Sequence, residues 1–182
     1  MKFNSVNMKQ KFMWKNILVT GGSGRLGTEL KKYLKGQCPT RKQFDITKIK
    51  KTPRCDLVVH MAAYTNVDKA EIERFQCFNI NVFGTYQLLS HLSDKPFVFI
   101  STEHVNAEGV YFQSKLIGEI LVKYLAKNYL IIRTLFKPNP WPWEYAFTDQ
   151  MTQGDYIDVI APLIAKAIKS WGGESKTNYV GT

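Results

Sequence analysis

Short apolar runs recur along this chain, and each is followed by a longer stretch with helical period. Ile17-Leu-Val-Thr20 reads as a buried strand, and Thr28 to Lys35 as the helix after it. A short second strand is expected near Gln37 to Thr40. Asp56-Leu-Val-Val-His60 predicts a third strand with a small-residue exit, Met61-Ala-Ala63. Glu73 to Leu92 predicts a helix with Phe75, Phe78, Val82, Leu88 and Leu89 on its apolar side. Pro96 to Ile100 predicts a fourth strand ending in Ser101-Thr102. Tyr111 to Lys127 is helical by period, with Ile117, Ile120, Leu121, Tyr124 and Leu125 facing inward, and Tyr129 to Ile132 is a fifth strand. Strands alternating with helices predict an α/β fold, a doubly wound parallel sheet with helices on both faces. In such sheets ligands bind at the carboxyl ends of the strands.

Beyond Arg133 the pattern changes. Lys137-Pro-Asn-Pro-Trp-Pro-Trp143 is a proline and tryptophan loop, unfit for helix or central strand. Tyr156 to Ser170 predicts a last amphipathic helix (Ile157, Ile160, Leu163, Ile164, Ala167), followed by the tail Asn178 to Thr182. The expected organisation is a single domain: residues 1–12 a loose extension, with Met13 packing ahead of the first strand, 13–135 a dinucleotide-binding core, and 136–182 a reduced substrate lobe.

The first strand is the one around which the rest is arranged. Glycines at 21, 22, 24 and 27 follow it just where a helix begins. A strand, a tight glycine turn and a helix N-terminus together make an anion site, because unpaired N–H groups and the positive end of the helix dipole point at one spot. Gly21, Gly24 and Gly27 have the spacing G-x-x-G-x-x-G.

Charge and cysteine content narrow the classes. The formal charge of +10 comes from basic residues spread through the first half, among them Lys31, Lys32, Lys35, Arg41, Lys42 and Arg54. No nucleic-acid recognition motif accompanies them, so the field is read as a solvated surface that also attracts an anionic nucleotide substrate. No apolar run reaches the ~18 residues of a membrane span, and no secretory signal is read at the N-terminus. Cys38, Cys55 and Cys77 lack metal-ligand spacing and are read as reduced thiols of a cytoplasmic protein, with no metal expected.

Tyr111 and Lys115 stand four apart on a predicted helix, which puts them on one face. They follow the fourth strand, whose carboxyl end carries Ser101-Thr102 beside the glycine crevice. A phenol near pKa ~10 works as acid or base at neutrality when its anion is favoured, and a nearby ammonium favours it. Lys115 is expected to supply that charge.

These blocks, with His60-Met-Ala-Ala-Tyr-Thr-Asn-Val-Asp-Lys-Ala-Glu71, Asn79-Ile-Asn-Val-Phe-Gly84, Ser101-Thr-Glu103 and Tyr111-Phe-Gln-Ser-Lys115, occur in the order seen in extended short-chain dehydrogenases/reductases. The chain most nearly resembles the dTDP-4-dehydrorhamnose reductases and their nucleotide-sugar relatives. That resemblance implies NADP(H) or NAD(H) and reduction of a 4-keto group on a nucleotide-linked 6-deoxyhexose. It implies a pyrophosphate turn of Gly21, Ser23, Gly24, Arg25, Leu26 and Gly27, and Arg41 at an adenosine 2′-phosphate, which favours NADPH. Asp45 and Ile46 would lie beside the adenine, Ala62, Ala63 and Tyr64 under the cofactor, and Asn81 would brace the site. Tyr111 would donate the proton, Lys115 would hold the nicotinamide ribose, and Thr102 would position the carbonyl. The partners implied are a nucleotide-sugar substrate and either a second copy or a partner enzyme subunit; no nucleic acid or membrane is implied.

The sequence also departs from that pattern. The link from Thr102 to Tyr111 is shorter than in relatives, His104 replaces a tyrosine, Phe136 replaces a tryptophan, and the C-terminal lobe is small. Glu103, His104 and Phe136 are therefore candidate substrate contacts, with Trp141, Trp143 and Tyr145 as stacking surface. Two further activities stay open: a non-catalytic NADP-binding regulatory or scaffold subunit, and a nucleotide-sugar epimerase or dehydratase, for which Glu103 is the acidic candidate.

Overall fold

The computed structural model describes residues 14–142, 144 and 153–182. The expectations for residues 1–12, Met13, Trp143 and Tyr145 lie outside the described residues. The elements run β1 (Ile17–Thr20), α1 (Arg25–Leu30), β2 (Leu57–His60), α2 (Val67–Ile72), α3 (Arg74–Phe78), a π-helical turn (Asn79–Phe83), α4 (Gly84–Leu92) and β3 (Phe97–Thr102). They continue as α5 (Val110–Leu125), β4 (Tyr129–Thr134), β5 (Phe136–Lys137), β6 (Asp155–Tyr156), α6 (Ile157–Ser170) and β7 (Lys176–Tyr179).

Five strands pair in parallel in the order β1-β2-β3-β4-β7. Alternate residues of β1 feed opposite layers, as the two-residue strand period requires. Ile17 and Val19 pack with Leu26, Leu30, Ile160, Ile164 and Ile168 on the α1/α6 side. Leu18 packs with Leu88, Leu89, Phe97, Phe99 and Val122 on the α4/α5 side. Both faces are thus covered, and β1, β2 and β3 are buried along their whole length. The doubly wound α/β arrangement expected from the alternation is present.

Several local expectations differ. The second strand shrinks to a single bridge, Leu18 with Gln37, held by Val19 N–H to Gln37 O (2.8 Å) and Gln37 N–H to Ile17 O (2.7 Å). Gly36 sits against Ile17 and Val19, where a Cβ would lie 2.9 Å from Ile17 O, so this close approach to β1 needs glycine. The bridge lies on the side of β1 away from β2, which makes the carboxyl end of β1 the point where the sheet order reverses.

The helix expected over Glu73 to Leu92 is three pieces, α3, the π turn and α4, and a separate α2 precedes it. α2 starts earlier, because Asn66 caps it by accepting the Lys69 N–H. The π turn then carries the helix on, with Gly84 N–H reaching back to Asn79 O. Phe75 is 83% exposed and lies on the outer face. The tail also forms a strand: β7 pairs with β4, which its polar sequence Lys-Thr-Asn-Tyr does not announce.

Candidate active site

α1 begins at Arg25, three residues before the helix expected from periodicity. The glycines set this. Gly21 has φ 74°, and a Cβ there would lie 2.5 Å from Ala62 N, so the end of β1 and the exit of β2 touch backbone to backbone. At Gly27 a Cβ would lie 2.5 Å from Gly21 O, so the helix sits directly on the turn. No side chain caps α1, leaving the first-turn N–H groups of Arg25, Leu26 and Gly27 directed at the crevice mouth. Ser23, Gly24 and Arg25 are exposed there, while Leu26 anchors the helix in the core.

The floor of the crevice is held by a directional hydrogen-bond chain. Thr85 donates its hydroxyl to Asn81 O (2.6 Å), so its oxygen accepts from His60 Nε2–H (3.0 Å). That fixes the tautomer, and Thr20 then donates to Nδ1 (2.6 Å) while accepting the Ala62 N–H (3.3 Å). Burial, with the neighbouring Lys115 charge adding, drives the His60 imidazole down to about 3, so it is neutral. The other end of the floor loop is held by Asn81: its Oδ1 accepts Tyr64 N–H (2.7 Å), and its Nδ2 donates to Tyr64 O (3.1 Å) and Ser114 Oγ (2.8 Å). Ala62 thereby lies against Gly21, and Ala63 and Tyr64 continue the floor loop from it. Asn81 is 2% exposed, because the π turn points its amide inward.

Thr102 ends β3, is 5% exposed, and accepts the His104 N–H at its hydroxyl (3.2 Å). Ser101 Oγ and Thr134 Oγ1 are buried without a hydrogen-bond partner among the described residues. Lys115 is 4% exposed; its Nζ donates to Ile100 O (2.7 Å) and stands 4.1 Å above the centre of the Phe99 ring. Burial lowers its pKa to about 7, against the opposing pull of Glu119 and Cys77. Tyr111 packs with Tyr64, Ala70, Cys77 and Phe78, and its ring meets Phe112 edge-on at 5.3 Å. Burial, with Cys77 adding, pushes its phenol up to about 12. The downward pull expected from Lys115 does not govern the phenol in this structure: its ammonium is spent on a backbone carbonyl, and desolvation wins.

α5 differs from its expected orientation. Ile120 and Tyr124 are exposed, and the buried stripe is Val110, Ser114, Lys115, Gly118, Glu119 and Val122. Gly118 permits the close approach, since a Cβ would lie 2.8 Å from Phe99 Cζ. Glu119 is fully buried and takes a two-pronged bond from Arg133 (2.9 and 2.7 Å), and Arg133 donates on to Tyr179 Oη (2.7 Å). Those contacts hold the Arg133 guanidinium well above its ordinary pKa. Sequence reasoning passed over Glu119, Ser114 and His60. The spacing 111, 115, 119 on one helical face was the available signal.

The remaining candidates sit further out. Arg41 is exposed and pairs with Asp45 (3.3 Å), and Asp45 also accepts from Thr47 N–H and Oγ1–H. Burial raises the Asp45 pKa, but the Thr47 and Arg41 contacts outweigh it and leave it below the ordinary value. Ile46 is core: a Cβ on Gly84 would lie 2.8 Å from its Cδ1. Glu103 accepts Gln153 N–H at 3.4 Å, the exposed His104 ring lies edge-on to Phe112, and Phe136 packs against the α1/α6 core. Among the described residues no group of three or more His, Cys, Asp or Glu could hold a metal ion.

Comparison with known proteins agrees with this geometry. The model of the RmlD substrate binding domain matches residues 15–161. The spore coat polysaccharide biosynthesis protein SpsK of Bacillus subtilis is 33% identical over 146 residues, which is 65% of this chain and 52% of that protein. A dTDP-4-dehydrorhamnose reductase of Sinorhizobium fredii is 34% identical over 96 residues, 43% of this chain and 32% of that protein. The chain thus spans about half or less of the curated relatives it matches. Among solved structures, dTDP-4-dehydrorhamnose reductase from Bacillus anthracis in complex with NADP superposes with a TM-score of 0.75 at 25% identity, covering 93% of this chain and 75% of that one. With most of its length matched by the family model, the chain belongs to the RmlD substrate-binding domain family, that of the dTDP-4-dehydrorhamnose reductases.

Proposed function

We propose that this protein is an NADPH-dependent reductase of the 4-keto group of a nucleotide-linked 6-deoxyhexose. The observation that carries this reading is the placement of half-buried Tyr111 one turn before buried Lys115 on α5, with Lys115 Nζ bonded two residues before Thr102 at the end of β3. Three features of the crevice fit a dinucleotide. The turn is one that side chains at Gly21 and Gly27 would fill, the α1 amides are uncapped, and the buried Ser101 hydroxyl lies unpartnered at the carboxyl end of β3.

The crevice residues would hold a dinucleotide whose reduced nicotinamide would supply the hydride. The chain's own residues do the rest. Tyr111, held protonated by burial, donates its proton to the oxygen of the reduced carbonyl. Thr102 donates a hydrogen bond to the same oxygen and orients it. Lys115 keeps one of its three protons on Ile100 O and has two for ribose hydroxyls. Arg41, exposed beside Asp45, would meet an adenosine 2′-phosphate, which supports NADPH over NADH. Residues 13–135 would hold the cofactor, and 136–182, with Glu103, His104 and Phe136, the sugar nucleotide.

The apolar outer face of α2 to α5 supports a second reading, a subunit that binds NADP and a protein partner, which includes pairing with a second copy. Ile72 and Phe75 are 85% and 83% exposed there, and Phe75 lines a cavity of about 400 Å³ with Phe78, Asn79, Val82 and Phe83. All three cysteines are free thiols, and among the described residues no helix is long and apolar enough to cross a membrane, so we place the protein in the cytoplasm.

The test is NADPH absorbance in the presence of a freshly prepared nucleotide-linked 4-keto-6-deoxyhexose, with Tyr111→Phe alongside. Consumption by the wild type alone supports the reductase. Tight NADPH binding without consumption, together with a dimer that Phe75→Glu dissociates, moves the reading to the subunit.

A further inference from the structure

α5 begins without a cap of its own. Gly109, at φ 122°, turns the chain into the helix; its carbonyl accepts the Gln113 N–H (3.0 Å), but it has no side chain to cap the free first-turn N–H groups. The cap arrives from another element: Glu71, in the last turn of α2, accepts the Val110 N–H at its Oε1 (2.7 Å). A carboxylate thereby meets the positive end of a 16-residue helix, a favourable pairing of charge and dipole. Gly109 fits this approach, because a Cβ there would lie 3.1 Å from Glu71 Oε1 and would strain a left-handed backbone. Arg74 steadies the acceptor from the other side, donating from Nε to Glu71 O (3.0 Å) and standing 3.8 Å from Glu71 Oε2.

Val110 precedes Tyr111 directly, and Lys115 lies one turn further along. Tyr111 also packs on Ala70, the neighbour of Glu71. α2 and the first turn of α5 are thus joined by one charged hydrogen bond at the point where the phenol is placed. We propose that Glu71 is a positioning residue: it fixes the first turn of α5 and with it the line along which Tyr111 delivers its proton. This rests on the reductase reading above. Proton delivery tolerates little displacement, and a shift of ~1 Å in a reacting group can cost about 10²-fold in rate.

The test compares Glu71→Gln, which keeps a carbonyl acceptor, with Glu71→Ala, which removes it. In Glu71→Ala kcat should fall about ten-fold while KM for NADPH stays within about two-fold, equivalent to loss of one cap. Glu71→Gln should recover most of kcat, and amide exchange at Val110 and Tyr111 should quicken only in the alanine variant. Should Glu71→Ala fail to fold, Glu71→Asp replaces it, since withdrawing the carboxylate by one methylene is expected to lower kcat with the fold intact. Wild-type kcat in the alanine variant, or equal impairment in glutamine and alanine, overturns the proposal. If the wild type binds NADPH without turnover, the reductase reading falls, and amide exchange decides this one: unchanged exchange at Val110 in Glu71→Ala overturns it.

Discussion

Both faces of the sheet bury an apolar core, but only one adds buried polar and charged groups to it. On one side α6 presents Ile157, Ile160, Ala161, Ile164, Ala165 and Ile168 to β1, β3 and β4 in an unbroken apolar stripe. On the other, α5 and the π turn bury Asn81, Ser114, Lys115 and Glu119 against His60, Thr85 and Phe99. Burial of an ionisable group costs stability unless hydrogen bonds return it, and on the α5 side nearly every group has its partner. The apolar face holds the fold, and the polar face spends part of that stability on placing a phenol, an ammonium and an amide beside the crevice.

Substitutions on the two faces should therefore separate activity from stability. Tyr111→Phe should lower turnover by about 10³-fold, within the range for a lost general acid, and leave thermal stability nearly unchanged, as steady-state rates and a melting curve would show. Glu119→Ala leaves Arg133 without its buried partner and should cost about 3 kcal/mol in denaturant unfolding. Ile164→Ala, on the α6 face, should cost about 3 kcal/mol by the cavity it opens, with kcat of the folded fraction unchanged.

Acid should weaken the polar face first. The folded His60 binds its proton only near pH 3, the unfolded chain near 6.5, so the unfolded state holds more protons between those values. Stability from this group is complete above pH 6.5 and is lost as pH falls, by about 1.4 kcal/mol per unit until about 3. His60→Asn should flatten that slope in urea melts taken from pH 7 to pH 4. The smallest effect belongs to the surface: Arg41→Ala should change stability by less than about 0.5 kcal/mol, the pair with Asp45 being exposed, yet raise KM for NADPH relative to NADH.

The same contrast explains what the sequence made legible. The α6 stripe reads directly, because Ile157, Ile160 and Ile164 carry the 3.6-residue period in apolar side chains alone. The strands and the glycine turn read as easily. On α5 the hydrophobic pattern points the wrong way: Ile120 and Tyr124 suggest an inward face, yet Tyr124 is 85% exposed while Lys115 and Glu119 are buried. A pattern that counts only apolar residues misses a face whose burial is bought with hydrogen bonds. The strand expected near Gln37 to Thr40 is reduced to one bridge, Gln37 making both of its backbone hydrogen bonds to β1 and the residues after it none. β7 departs in the opposite direction, its polar residues pairing at the sheet edge where Tyr179 meets Arg133. Thr102, Tyr111 and Lys115 are singled out by position, four-residue spacing and the order of blocks, none of which depends on hydrophobic period.

The central claim is that the buried polar face of α5 carries out ketone reduction. The most direct measurement is transfer of deuterium from NADPH labelled at the transferring position of the nicotinamide to C4 of the sugar, followed by NMR of the product. The account predicts one deuterium at C4 with the wild type and none above background with Tyr111→Phe. Label absent from C4 with the wild type, or present equally with both proteins, would contradict it.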